Sequence, residues 1–420
     1  MPARAELVER SGALKVALVQ YGEGRRFARH ADKALDRYLP GGVAADNAEM
    51  ANAIDRFVLE YRLPDGKTVV ETFVEESLDL TDEERTLLLG WRDVIEGIFE
   101  VERREGQALI LTNLVDDLTY RTRSSMGPAT IQRARMGSFL ITRLVPIEDE
   151  WLFSGIASVY PSTLRNEMYR AAVELTLMRP ADAFRNPEKL EQARTLQREE
   201  RRGFVEFFGA DLVVAPGHEI EARMQAYMRF RMHDMRDENG KSAADRSREL
   251  YGEEPPEIDF SLPGDMTEAE TVAIIYDEDE GLLFLRDFGR LEEAFADPQL
   301  ASSRPHRETL LGQLKEPGLT PLPFRRLGAR DPERASRLFA LLLKRPDFSW
   351  ERDSEALFRQ YKPDYFAQPP LPTTAPLSPR LSRVRLGQPE PARDAPRRHH
   401  QPQPARQPKR RAKRRGGRSR

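Results

Sequence analysis

Apolar and polar residues alternate with a period of two in one part of the chain. Ile98-Phe99-Glu100-Val101-Glu102 alternates, as does Leu118-Thr119-Tyr120-Arg121-Thr122-Arg123, and this spacing predicts half-buried strands. Between them Ala108-Leu109-Ile110-Leu111 is apolar without a break, which predicts a strand covered on both sides. The segments 137–145 and 151–160 complete the set across the acidic turn Glu148-Asp149-Glu150. Pro146 and Pro161 are expected at strand ends, because proline cannot donate to the ladder. Four or five short strands are too few for a large sandwich. Residues 97–161 are therefore expected to close into a small antiparallel SH3/OB-like β-barrel, which removes exposed edges.

Elsewhere the apolar positions recur at helical spacing. In residues 1–96 a helix is predicted over Arg25–Tyr38, ended by Pro40-Gly41-Gly42, and another carries Met50, Ile54, Phe57, Val58 and Tyr61. Val69–Val74 is rich in β-branched residues, so Pro64-Asp65-Gly66 fits a hairpin turn as well as a break between helices; helices on both sides are favoured. Thr81-Asp82-Glu83-Glu84 has the pattern of a capping box and starts a helix that runs toward the strands. Residues 162–250 read as helical, with Asn186-Pro187 as one start and Gly209 as one stop. The polar stretch 237–256 reads as a linker with a short helix near 245–250. Residues 251–368 form a smaller α+β region, with a hairpin over 271–285 and helices near 291–295, 307–314, 333–343 and 354–361. From 369 to 420 proline, arginine and glutamine dominate, and a disordered basic tail is expected.

Composition sharpens this picture in two places. Cysteine is absent, which excludes disulfides, thiolate zinc sites and cysteine nucleophiles. The formal net charge of −3 hides an asymmetry: from Arg380 onward about fifteen basic residues face two acids, Glu390 and Asp394, so the body is distinctly acidic. No apolar run reaches the roughly 18 residues of a membrane span, and no signal-peptide pattern opens the chain. A soluble cytoplasmic protein without membrane partners is expected.

The succession Phe57 to Tyr61, Asp65-Gly66, the capped helix ending in Trp91, Phe99-Glu100-Val101, Asp117-Leu118 and the run 137–144 resembles the front part of a group of uncharacterised bacterial proteins. Phe204 to Leu212 is similar too, so the likeness spans roughly residues 45–230. Some of those proteins carry a C-terminal SEC-C zinc knuckle, which a chain without cysteine cannot form. The resemblance implies a bacterial origin and a family with no assigned reaction.

Candidate chemistry is sparse. His218 and His233 lie fifteen positions apart, roughly 22 Å on one helix, too far to share an ion. Asp277-Glu278-Asp279-Glu280 lacks the ligand spacing of a calcium loop and suits a hairpin turn. Ser124, Ser125 and Ser154 lie in no nucleophile elbow, and Gly22 and Gly24 make no phosphate loop. No catalytic residue, metal site or cofactor is assigned. Arginines are the stronger signal: Arg121, Arg123, Arg133, Arg135 and Arg143 belong to the barrel, interleaved with Tyr120, Phe139 and Trp151, a combination that can grip phosphates and stack bases. In the tail, Lys409, Arg410, Arg411, Lys413, Arg414 and Arg415 would displace counterions from RNA or DNA without reading sequence. The expectation is a non-catalytic binding protein contacting nucleic acid, with a protein-interaction adaptor and an enzyme whose site uses Asp116 and Asp117 as alternatives. Oligomeric state is not legible.

Overall fold

Helices α1 (Arg4–Gly22), α2 (Ala28–Tyr38), α3 (Asn47–Leu59), α4 (Val69–Glu76) and α5 (Asp82–Gly90) precede the first strand in the computed structural model, which describes residues 4–39, 44, 46–127, 131–237, 239–252, 259–367 and 370–382. Local chemistry fixes their starts. Asp46 caps α3 by accepting from the Ala48 and Glu49 N–H groups, and α4 and α5 each open on a reciprocal box, Thr68 with Glu71 and Thr81 with Glu84. The β-branched run after Pro64-Asp65-Gly66 is thus helical: a cap begins it and Val69, Val70, Phe73 and Val74 bury one face. Helix α1 was not legible in the spacing, yet its Leu14 and Leu18 enter the N-terminal core beside Phe57, Val58 and Trp91.

Strands β1 (Ile95–Glu105), β2 (Ala108–Asn113), β3 (Thr119–Arg123), β4 (Phe139–Ile147) and β5 (Glu150–Tyr160) form one sheet in the order β1-β2-β3-β5-β4, and β4 pairs with β1 as well as β5. All six residues of β2 are buried, as its unbroken apolar run requires. Two expectations need correction. The sheet is not wholly antiparallel, because β3 and β5 pair in parallel; two chain reversals separate them, so both run the same way. Pro146 does not stop β4 but sits within it opposite Trp151. Pairing with β1 has already ended at Ile95 and Leu144, so on that side the missing N–H has no partner to lose.

Gly155 carries φ +73 where the β4–β5 register slips, and a Cβ there would meet the Asn52 amide of α3 at 2.1 Å. Asn52 uses that closeness: its Oδ1 accepts from Ile156 N–H (2.9 Å) and its Nδ2 donates to Ile156 O (3.2 Å), satisfying backbone that the irregular strand leaves unpaired.

Helix α6 (Arg165–Met178) covers Ile98 and Phe139 on the outer face of the sheet. Helix α7 (Pro187–Phe208) starts at the Asn186 cap and ends at Gly209 with φ +76. After it come β6 (Leu212–Ala215), α8 (Gly217–His233), α9 (Ala243–Tyr251), α10 (Gly264–Thr267), β7 (Val272–Asp277) and β8 (Gly281–Arg286). The predicted hairpin is β7–β8, and β6 joins it to make a three-stranded antiparallel sheet. Residues 238 and 253–256 of the expected linker lie outside the described residues. Helices α11 (Phe288–Ala296), α12 (Arg304–Lys315), α13 (Leu322–Arg330), α14 (Pro332–Leu343), α15 (Trp350–Tyr361) and α16 (Pro363–Ala367) pack around Phe295, Phe324, Phe339, Trp350 and Phe358.

Disorder from 369 is also corrected for residues 370–382. Ala375, Ser378 and Leu381 are buried, Leu371 and Ala375 against the start of α7, Leu377 and Leu381 between the sheet and α6. Three leucines spaced through a proline-rich segment escape a composition test, yet each finds an apolar site already formed by other elements. Residues 383–420, including Lys409 to Arg415, lie outside the described residues.

Candidate functional site

On the outer face of β4 the residues Phe139, Ile141, Arg143, Val145 and Ile147 point one way, and four of the five are apolar. Arg143 is accordingly not a surface cation: it is 1% exposed. Its Nε donates to Asp55 Oδ2 (2.8 Å), Nη1 to Glu96 Oε2 (2.8 Å) and Nη2 to Glu60 Oε2 (2.9 Å). Asp55 also meets Lys15 of α1 and accepts from Ser154 Oγ (2.8 Å), while Glu96 is shared with Arg56. Burial alone would raise the Asp55 carboxyl, but Lys15 and Arg143 hold it below the ordinary range; burial opposes Glu96 in the same way, and Arg56 and Arg143 win. Burial disfavours the Arg143 cation, and Asp55, Glu60 and Glu96 more than restore it. The network ties α1, α3, β1, β4 and β5 together, and it removes Arg143 from any nucleic-acid surface. A lone arginine in an apolar strand face was the available signal that partners would be buried with it.

Arg121 and Arg123 do share the outer face of β3, but acids accompany them. Arg121 Nε donates to Glu150 Oε1 (2.8 Å) and its guanidinium also meets Glu105, while Arg123 pairs with the other oxygen of Glu150. Glu150 is 2% exposed, so what reads as a turn residue is a buried bridge between two arginines. Arg133 and Arg135 differ. Both are exposed on the connection between β3 and β4, and neither forms an ion pair among the described residues. Met126 and Met136, on the same connection, are 76% and 79% exposed. The aromatics expected to stack bases are internal: Tyr120 faces the sheet interior, Phe139 lies under α6, and Trp151 is half-buried with Arg185 over its ring.

The β2–β3 turn holds a second polar network. Asp116 is fully buried and accepts from Leu118 N–H (2.8 Å), Asn113 Nδ2 (3.0 Å) and Tyr120 Oη (2.5 Å). Its carbonyl accepts from Asn186 Nδ2 (2.9 Å), and Lys189 Nζ donates to Val115 O (2.7 Å) and pairs with Asp117 (2.8 Å), so the turn is fastened to the start of α7. Burial pushes the Asp116 carboxyl up to about 6, against the hydrogen bonds from Tyr120 and Leu118 that pull it down. Asp116 thus serves as an acceptor inside the turn, and Asp117, partly exposed, is engaged by Lys189.

A pH prediction follows from Asp116. Its folded value lies above the ordinary one, so the folded state binds the extra proton and stability falls as pH rises from about 4 to about 6. Asp116→Asn removes that dependence. The stability of the variant relative to the parent is expected to rise by on the order of 2–3 kcal/mol between pH 4 and pH 7 in urea titrations, and a constant difference would contradict the assignment.

Two clefts border Glu96. One, of about 410 Å³, is lined by Tyr38, Asn52, Arg56, Arg143 and Tyr160 among others; the second, of about 370 Å³, by Glu60, Asn113, Arg179, Asp182 and Arg185. The second gathers Glu60, Glu96 and Asp182, but each has an arginine partner: Arg143, Arg56 and Arg179. Among the described residues no group of three or more His, Cys, Asp or Glu is placed to hold a metal ion. No described helix is long and apolar enough to cross a membrane.

Residues 10–181 match the model of a family of unknown function (DUF7986), somewhat less than half of the chain. The matched span holds α2 through α6, the five-stranded sheet and the Arg143 network, and stops before α7. The match does not carry the likeness to zinc-knuckle proteins. Neither a curated protein nor a solved structure gives a significant match.

Proposed function

We propose that this chain is a non-catalytic protein that binds single-stranded nucleic acid largely through backbone charge. The observation that carries the reading is the arm after Ser382, in which fourteen basic residues face two acidic ones while the rest of the chain is acidic. Strand order supports it. A ring β1-β2-β3-β5-β4 that returns to β1, with β3 and β5 parallel, is the arrangement of a small OB-like barrel, an architecture used to hold oligonucleotides. Arg133 and Arg135 supply exposed cations that form no ion pair among the described residues, and Met126 and Met136, on the same connection, offer apolar contact to bases. Because the barrel aromatics are internal, stacking contributes little and sequence preference is weak.

Fluorescence anisotropy with labelled RNA and single-stranded DNA at low salt tests this. The full chain binds both with similar affinity, and a chain ending at Ser382 binds at least about tenfold more weakly. Indifference of the full chain to both probes ends the nucleic-acid reading. A nuclease-resistant protein partner recovered from native cells in its place favours the adaptor.

A further inference from the structure

We propose that the cleft lined by Glu60, Arg179 and Asp182 binds a free α-amino acid with an apolar side chain. This site goes beyond the nucleic-acid reading and does not depend on it.

Distant parts of the chain meet at this cleft of about 370 Å³: Glu60 just after α3, the start of β1, the end of β2, the connection from α6 to α7, and Leu371. Its volume lies near the lower limit of about 300 Å³ for ligand pockets, which suits one small metabolite. The lining is of two kinds. Phe184, Leu190 and Leu371 belong to one apolar cluster, and Glu60, Glu96, Asp182, Arg179 and Arg185 supply charge.

That charge is already balanced. Glu60 pairs with Arg143, Glu96 with Arg56, Asp182 with Arg179, and Asp93 with Arg185. A ligand with a net charge would add one charge without a counterpart in partly desolvated surroundings, whereas a zwitterion keeps the balance.

One of these pairs is poorly joined. Arg179 Nη2 lies 2.8 Å from Asp182 Oδ2 but out of line for a hydrogen bond, and that buried oxygen accepts none. Burial raises the Asp182 carboxyl above its ordinary range, and Glu96 and Glu60 add to the rise against the pull of Arg179. Arg179 approaches Glu96 only to 4.0 Å, and its side chain is 46% exposed. Glu60 uses one oxygen on Arg143, which leaves the other as a second acceptor. An ammonium group on Asp182 and Glu60 and a carboxylate on Arg179 would replace one misaligned pair by two charge-assisted ones. The side chain of the same amino acid then meets Phe184, Leu190 and Leu371.

Calorimetric titration of the full chain with leucine and phenylalanine tests this, beside three relatives of leucine. Isoamylamine lacks the carboxylate, isocaproate lacks the ammonium, and glycine lacks the side chain. The two amino acids are expected to bind, and each relative at least about tenfold more weakly than leucine. Asp182→Asn should weaken leucine about tenfold without weakening isocaproate, and Arg179→Gln should weaken leucine about tenfold without weakening isoamylamine. A merely structural role for the pair would not produce that crossed pattern. Circular dichroism and Tm establish that both variants are folded. Absence of binding by leucine and phenylalanine up to about 10 mM overturns the proposal. Relatives that bind as tightly as leucine, or folded variants that bind it like the parent, overturn it as well. None of these outcomes bears on nucleic-acid binding.

Discussion

Replacing Arg143 with methionine is expected to cost about 3–5 kcal/mol of stability. Methionine fills much of the arginine's volume, so the loss is not a cavity effect. It comes from three carboxylates, Asp55, Glu60 and Glu96, that lose their common cation, with Asp55 and its surroundings too buried for water to replace it. Lys15 remains beside Asp55 and Arg56 beside Glu96, which places the cost toward the lower end of that range. Arg143→Lys keeps a charge but reaches fewer acceptors than a three-pronged guanidinium, and should lie between parent and methionine. Asp55→Asn combined with Arg143→Met should recover at least about 1 kcal/mol relative to the sum of the single changes, since the uncompensated charge is then gone. Urea unfolding followed by tryptophan fluorescence measures all four; Trp91, buried near Lys15, reports on this region. A loss below about 1 kcal/mol for Arg143→Met would mean that the network is solvated and holds nothing together.

The second large effect, expected under the proposed nucleic-acid reading, is a response of binding to salt. Each neutralised phosphate of a single strand contributes about −0.7 to the slope of log affinity against log salt. The segment Lys409 to Arg418 carries seven basic residues and Arg133 and Arg135 add two, so a slope near −6 is expected for the full chain, or a loss of roughly several thousandfold between 50 and 200 mM salt. Ending the chain at Ser382 should reduce the slope to about −1 to −2, the share left to Arg133 and Arg135. Arg133→Glu with Arg135→Glu in the full chain should change it by about 1. Affinity that hardly responds to salt would point instead to apolar contacts, with Met126 and Met136 as the first residues to substitute.

Much of the architecture was legible because it depends on short-range pattern. The period-two segments became parts of β1 and β3, the unbroken run in β2 became a strand buried on both faces, and the capping box at Thr81 starts α5. Each of these is decided by residues within a few positions of one another. The failures also share a cause. Pro146 continues β4 because the neighbouring β1 has ended, and residues 370–382 are ordered because Ile98, Phe139 and Met168 leave room for Leu381. Neither fact is contained in the local sequence.

For the candidate site the division is sharper. The sequence alone determined that arginines concentrate in residues 121–143 and after 380, and that no cysteine chemistry is available. Only the tertiary structure decided which of the arginines between 121 and 143 are paired with acids. Arg143 is enclosed by carboxylates from 47 to 88 positions away, and Arg121 and Arg123 are joined through Glu150, whereas Arg133 and Arg135 are left exposed. Charge is a property of a residue, but its compensation is a property of the neighbours that folding brings within about 3 Å, and those come from distant parts of the chain.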